Sequence, residues 1–141
     1  MSTLKVNNLQ DINGANNSTP EQVAQGRAKA WVNFDGTFAT SPYTEGNGGI
    51  RNAFNVSSVT DNGTGDYTIN FSSSLSNANY CPVISTLAEG TAGCQRTTVI
   101  RGTAAGGPTT MTANACRINV GSTSSNVFGD NRDVFFGVLG D

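Results

Sequence analysis

Ile50-Arg51-Asn52-Ala53-Phe54-Asn55-Val56-Ser57-Ser58-Val59-Thr60-Asp61-Asn62-Gly63-Thr64-Gly65-Asp66-Tyr67-Thr68-Ile69-Asn70-Phe71 is the stretch that decides the fold. Residues 51–60 alternate through Ala53 and then Phe54, Val56 and Ser58, the period of two that lets one side of a strand face a core. Asp61-Asn62-Gly63-Thr64-Gly65 is turn chemistry. Alternation then resumes with Tyr67, Ile69 and Phe71 on one face. The stretch reads as a β-hairpin with one strand over 51–60 and the other over 66–71.

The same period extends outward in both directions. Upstream, Ala30, Val32 and Phe34 oppose Trp31 and Asn33, and Asp35-Gly36 ends that strand. Downstream, strands are expected over 80–87, 95–102, 110–120 and 134–139, joined by Gly-rich connections at 88–93 and 103–108. The last of these, Val134-Phe135-Phe136-Gly137-Val138-Leu139, is apolar on both faces and belongs either in the middle of a sheet or in a subunit contact. Several short strands separated by turns predict an all-β fold, an antiparallel β-sandwich or barrel-like domain.

Two polar segments, 37–49 and 121–132, are too long for hairpin turns and are expected to be exposed loops. Tyr43, Glu45 and Asn47 in the first, and Asn126 and Asp130 in the second, are the candidate receptor-facing residues. Their side chains suit hydrogen bonding and stacking with sugars.

The N-terminal region is built differently. Leu4, Val6, Leu9 and Ile12 are spaced too sparsely to form a core, and Asn13-Gly14-Ala15-Asn16-Asn17 breaks the run. Ser18-Thr19-Pro20-Glu21-Gln22 carries a helix start: Thr19 as N-cap, Pro20 in the first turn, Gln22 completing a capping box. A helix over 20–28 is too short to stand alone in water, so Val23 needs a partner. The expected layout is an extended attachment arm with one short helix over 1–28, then a β-domain over 29–141. Leu4, Val6, Leu9, Ile12 and Val23 are the candidate particle-attachment or trimer-contact residues.

Composition narrows the function. Charged residues make up 13%, about half the ~25% usual in soluble domains. A net charge of -2 without a basic cluster gives no field to gather phosphates, so no nucleic-acid partner is expected. No window reaches the ~20 apolar residues of a membrane span, and no secretory leader pattern opens the chain. The absence of histidine removes the commonest general base, the usual nucleophile triads and most zinc sites. The acids stand mainly at turns, where Asx-turn formation is the ordinary role, so no catalytic pair is expected. Asp61 and Asp66 lack the spacing of a calcium loop, and the glycines at 102–107 lack the lysine and helix of a phosphate cradle. Cys81, Cys94 and Cys116 contain no Cys-x-x-Cys pair and read as buried free thiols. No catalytic residue, metal or cofactor is expected.

Arg27-Ala28-Lys29-Ala30-Trp31-Val32-Asn33-Phe34-Asp35-Gly36-Thr37, followed by the 50–71 stretch, resembles a module recurring in tail-fibre and virion structural proteins of phages and prophages, many of them marine or cyanobacterial. Ser2-Thr3-Leu4-Lys5-Val6-Asn7 and the run from Ser18 to Gln22 look like the leaders that precede it. The resemblance covers roughly the first half of the chain. This chain departs from the pattern by the long insertion at 38–49, where shorter relatives pass almost directly to the Ile-Arg strand.

The resemblance implies a virion protein made in the host cytoplasm: a homotrimeric tail fibre or receptor-binding tip without chemistry of its own. Its expected partners are copies of itself, other tail or capsid proteins, and host-surface carbohydrate. The alternative is a capsid decoration protein or head fibre whose arm lies across shell subunits.

Overall fold

The computed structural model describes residues 2, 5–10, 12–14, 18–87, 96–101, 110–122 and 127–140. Two antiparallel sheets enclose one core. The strand expected at residue 30 is β1, Ala30–Phe34, with Ala30, Val32 and Phe34 buried and Trp31 exposed.

The strand expected over 51–60 is two strands. β2, Ile50–Phe54, pairs with β1, whereas β3, Val56–Gly63, belongs to the other sheet. The break is Asn55, at φ 54° in the left-handed region that Asn tolerates better than most residues. Its amide fixes the corner, donating to the carbonyls of Lys29 and Ser73 at 3.1 and 3.2 Å and accepting from Ser73 N–H at 2.8 Å. One continuous alternating run thus serves both sheets.

β3 pairs with β4, Asp66–Phe71, as the expected hairpin. The remaining strands are β5 (Cys81–Thr86), β6 (Arg96–Ile100), β7 (Ala115–Ser122), β8 (Val127–Phe128) and β9 (Val134–Leu139). The first sheet has the order β2-β1-β9-β5, and the second β3-β4-β7-β6 with β8 also on β7. β9 is paired on both sides, with Val134, Phe136 and Val138 buried in the core and Phe135, Gly137 and Leu139 on the outer face. Val32, Phe34, Ile50, Val134, Phe136 and Val138 from the first sheet meet Val59, Tyr67, Ile69, Phe71, Ile118 and Val120 from the second.

Two further boundaries differ from expectation. Residues 110–114 turn instead of extending, because the Thr112 hydroxyl accepts from the N–H groups of Asn114 and Ala115. The segment 121–132 is only partly loop, since β7 runs to Ser122 and β8 folds back on it. Ahead of the sandwich, α1 covers Pro20–Gly26, ending at the glycine and not at residue 28. Thr19 and Gln22 form the capping box reciprocally, at 3.2 and 2.9 Å.

Candidate interaction surface

The loop at 37–49 is a folded part of the sandwich. Tyr43, expected to face a receptor, is instead fully buried. Its backbone exchanges two hydrogen bonds with Val59, at 2.7 and 3.0 Å, and its ring packs among Phe34, Phe38 and Tyr67. The polar loop sequence predicts a solvent position for this ring; the bridge to β3 carries it inward. Asn47 is exposed, yet its amide holds the turn, accepting from Thr44 and Gly49 N–H and donating to the Pro42 carbonyl. The Glu45 carboxylate accepts from Ala53 N–H on β2 at 3.1 Å.

The second loop behaves likewise. The Asp130 carboxylate accepts from Gly65 N–H at 2.7 Å and from the Tyr67 hydroxyl at 2.8 Å. The Gly36 carbonyl lies at the same 2.8 Å from that hydroxyl, so the single Tyr67 proton is shared between two acceptors. A Cβ at Gly36 would stand 2.6 Å from the Asn131 carbonyl oxygen, so Asp35-Gly36 owes its glycine to close approach. Burial, then the hydrogen bond and negative charge of Asp130, push the Tyr67 hydroxyl far above its ordinary range and keep it a donor. Asn126 lies outside the described residues.

The arm residues stand in solvent. Val6, Leu9 and Val23 are exposed and Ile12 completely so, although Leu9 and Ser18 exchange backbone bonds at 2.7 and 2.8 Å. Leu4 lies outside the described residues. Of the cysteines, Cys116 is buried and its thiol is pushed up to about 11 by that burial. Cys81, expected to be buried, is exposed on β5, and Cys94 is outside the described residues. Among the described residues no group of three Cys, Asp or Glu side chains could hold a metal ion.

The middle of the second sheet and the middle of the first turn different surfaces outward, although Val99 on β6 and Val127 and Phe128 on β8 are also exposed. On the second, Asn70 donates to the Ser58 and Thr60 hydroxyls, and Asn62 to Thr68. Asp66, nearly buried, takes two bonds from Arg117 at 2.7 Å and a further one from Arg101. Burial alone would raise the Asp66 carboxyl; the Arg117 hydrogen bonds and the charges of Arg117 and Arg101 outweigh it and hold the carboxyl below its ordinary value.

On the first sheet, the register places Phe54, Trp31, Gly137 and Val83 side by side in one row across all four strands. Phe54 and Val83 are 54% and 55% exposed, and Trp31 37%. Leu139, paired with Cys81, extends the apolar area by one row. A polar border closes one end. The irregularity opposite Asn33 and Phe34 leaves Arg51 without a partner residue on β1. Its guanidinium donates to the Asn33 side chain and the Arg132 carbonyl and pairs with Asp35 and Asp133 at 3.4 and 3.2 Å.

No family model, curated protein or solved structure matches the chain. The surface therefore stands on its own geometry. The sequence signalled only that Trp31 opposes Val32; which residues from distant strands share its row depends on pairings that the local pattern does not carry.

Proposed function

We propose that this chain is a non-enzymatic structural protein of a bacteriophage particle, a trimeric tail fibre or receptor-binding tip anchored by its N-terminal arm. The observation that carries the reading is where uncovered apolar surface lies. Of the twelve large apolar residues exposed among the described residues, Val6, Leu9, Ile12 and Val23 lie in the arm and helix, Trp31, Phe54, Val83 and Leu139 on one sheet face, and Leu87, Val99, Val127 and Phe128 elsewhere. Concentrated apolar exposure belongs to proteins that assemble. The resemblance of 27–37 and 50–71 to phage fibre modules supplies the setting.

The carboxylates support a role without catalysis. Asp66 is held by arginines, Asp130 by Tyr67 and Gly65, and Asp61 accepts from the Tyr43 hydroxyl at 3.0 Å. Contact with host-surface carbohydrate, in this reading, falls to the exposed rim at 44–48 and to the neighbourhood of Asp130, and no longer to Tyr43. The complete exposure of Ile12 also suits a capsid decoration protein whose arm lies over shell subunits.

Imaging whole particles to locate and count the chain tests both. Copies in threes at the tail or baseplate are expected. Regular copies over the head would replace the fibre reading with the decoration reading, and absence from purified particles would end both.

A further inference from the structure

We infer that the outer face of the β2-β1-β9-β5 sheet is the contact between copies of this chain, with Trp31 of one copy seated in the recess that Gly137 leaves on another. The inference rests on the proposed assembly role and gives it a surface.

The face carries both halves of a fit. Trp31 and Gly137 are neighbours in one cross-strand row, so a large projecting ring stands beside a position with no side chain. The recess is not required by the fold. A Cβ at Gly137 would come no closer than 3.9 Å to the Val83 carbonyl oxygen and 4.0 Å to that of Ala30, and its φ is not in the left-handed region. Glycine in the middle of a central strand weakens it, and a usual reason to keep one is the close approach of another group. A surface bearing a knob and its own hole can pair with itself, since residue i meets j while j meets i, or pass the contact round a ring.

The distribution of polarity points the same way. The row Phe54-Trp31-Gly137-Val83 has no charged member, while Arg51, Asp35 and Asp133 form a bonded cluster at its border. An apolar centre with a polar rim is the usual anatomy of a protein contact.

Area sets a further condition. Four strands of five residues give a flat footprint of roughly 300 Å², against about 800 Å² per partner in a standard stable contact. The sheet face alone falls short. The exposed arm residues Val6, Leu9 and Ile12 are further uncovered apolar surface, beside Leu87, Val99, Val127 and Phe128, and a second copy supplies one arm for every face.

The test uses the full chain and its single tryptophan. Sedimentation equilibrium over a concentration series is expected to show a defined oligomer, with Trp31 emission moving to shorter wavelength as it forms. Gly137→Lys, whose side chain the isolated fold accommodates, is expected to weaken association by about 100-fold, through burial of an unpaired charge. It should leave the circular dichroism spectrum and thermal midpoint of the monomer unchanged or raised, an outcome that misfolding does not give. An oligomer that survives Gly137→Lys overturns the inference while leaving the assembly role standing. A wild-type monomer at every concentration overturns both the inference and the trimer. A monomer whose Trp31 emission shifts on adding dextran would make the face a sugar platform and overturn the inference by another route.

Discussion

The outer face of β3, β4 and β7 in the second sheet and the outer face of the first sheet are the same construction with different contents. Across β3, β4 and β7 the outward residues spend their polarity on one another, as in Asn70 with Ser58 and Thr60, or Asp66 with Arg117, and exposed apolar side chains enter only at the margin, with Val99 on β6 and Val127 and Phe128 on β8. On β2-β1-β9-β5 the outward row is apolar and partly open to solvent. A sheet face can meet water by satisfying itself or by being covered, and this molecule uses the first solution on one side only. Substitutions on the polar face should therefore cost folding stability, and those on the apolar row should cost association instead.

The sharpest way to break this contrast is at Asp66. Asp66→Asn is expected to lower unfolding free energy by about 1–2 kcal/mol in denaturant titration, a charged hydrogen-bond loss discounted because both arginines are about one-third exposed. The sign with pH follows from the lowered carboxyl. The unfolded chain takes up the proton first, near pH ~3.9, so this contribution is complete above that value and lost as pH falls through the lower folded one. The wild type should lose stability across that window, and the Asn variant should show a flatter acid limb.

Asn70→Ala comes next, at about 1 kcal/mol, because Ser58 and Thr60 lie near enough to solvent to find water after losing their donor. Smallest is Val83→Thr on the apolar row, expected within about 0.5 kcal/mol of wild type in monomer stability at its 55% exposure. A loss above 1 kcal/mol there would mean that the face already has an internal partner and that the contrast is false.

The all-β class, the hairpin and the capping box of α1 were legible because each is written in neighbouring residues: alternation, turn chemistry, and Thr19 three residues before Gln22. The corner at Asn55 was not, because alternation continues through it and only its left-handed φ separates the two sheets. Tyr43 misled for a related reason. Its polar neighbours Thr44, Glu45 and Asn47 describe the loop's rim, while its own position is set by Val59, sixteen residues away. The candidate surface was the least legible part, since β1, β2, β5 and β9 bring together Trp31, Phe54, Val83 and Gly137, residues spread over most of the chain.

That spread also sets an order in time. The hairpin of β3 and β4 needs only residues 56–71 and can close early, whereas the first sheet keeps a gap between β1 and β5 until β9 arrives from a hundred residues beyond β1. Gly137 and Leu139 are themselves part of the apolar face. A nascent chain still short of residue 139 does not yet display that surface, so the contact becomes available only to molecules whose synthesis has passed the last strand.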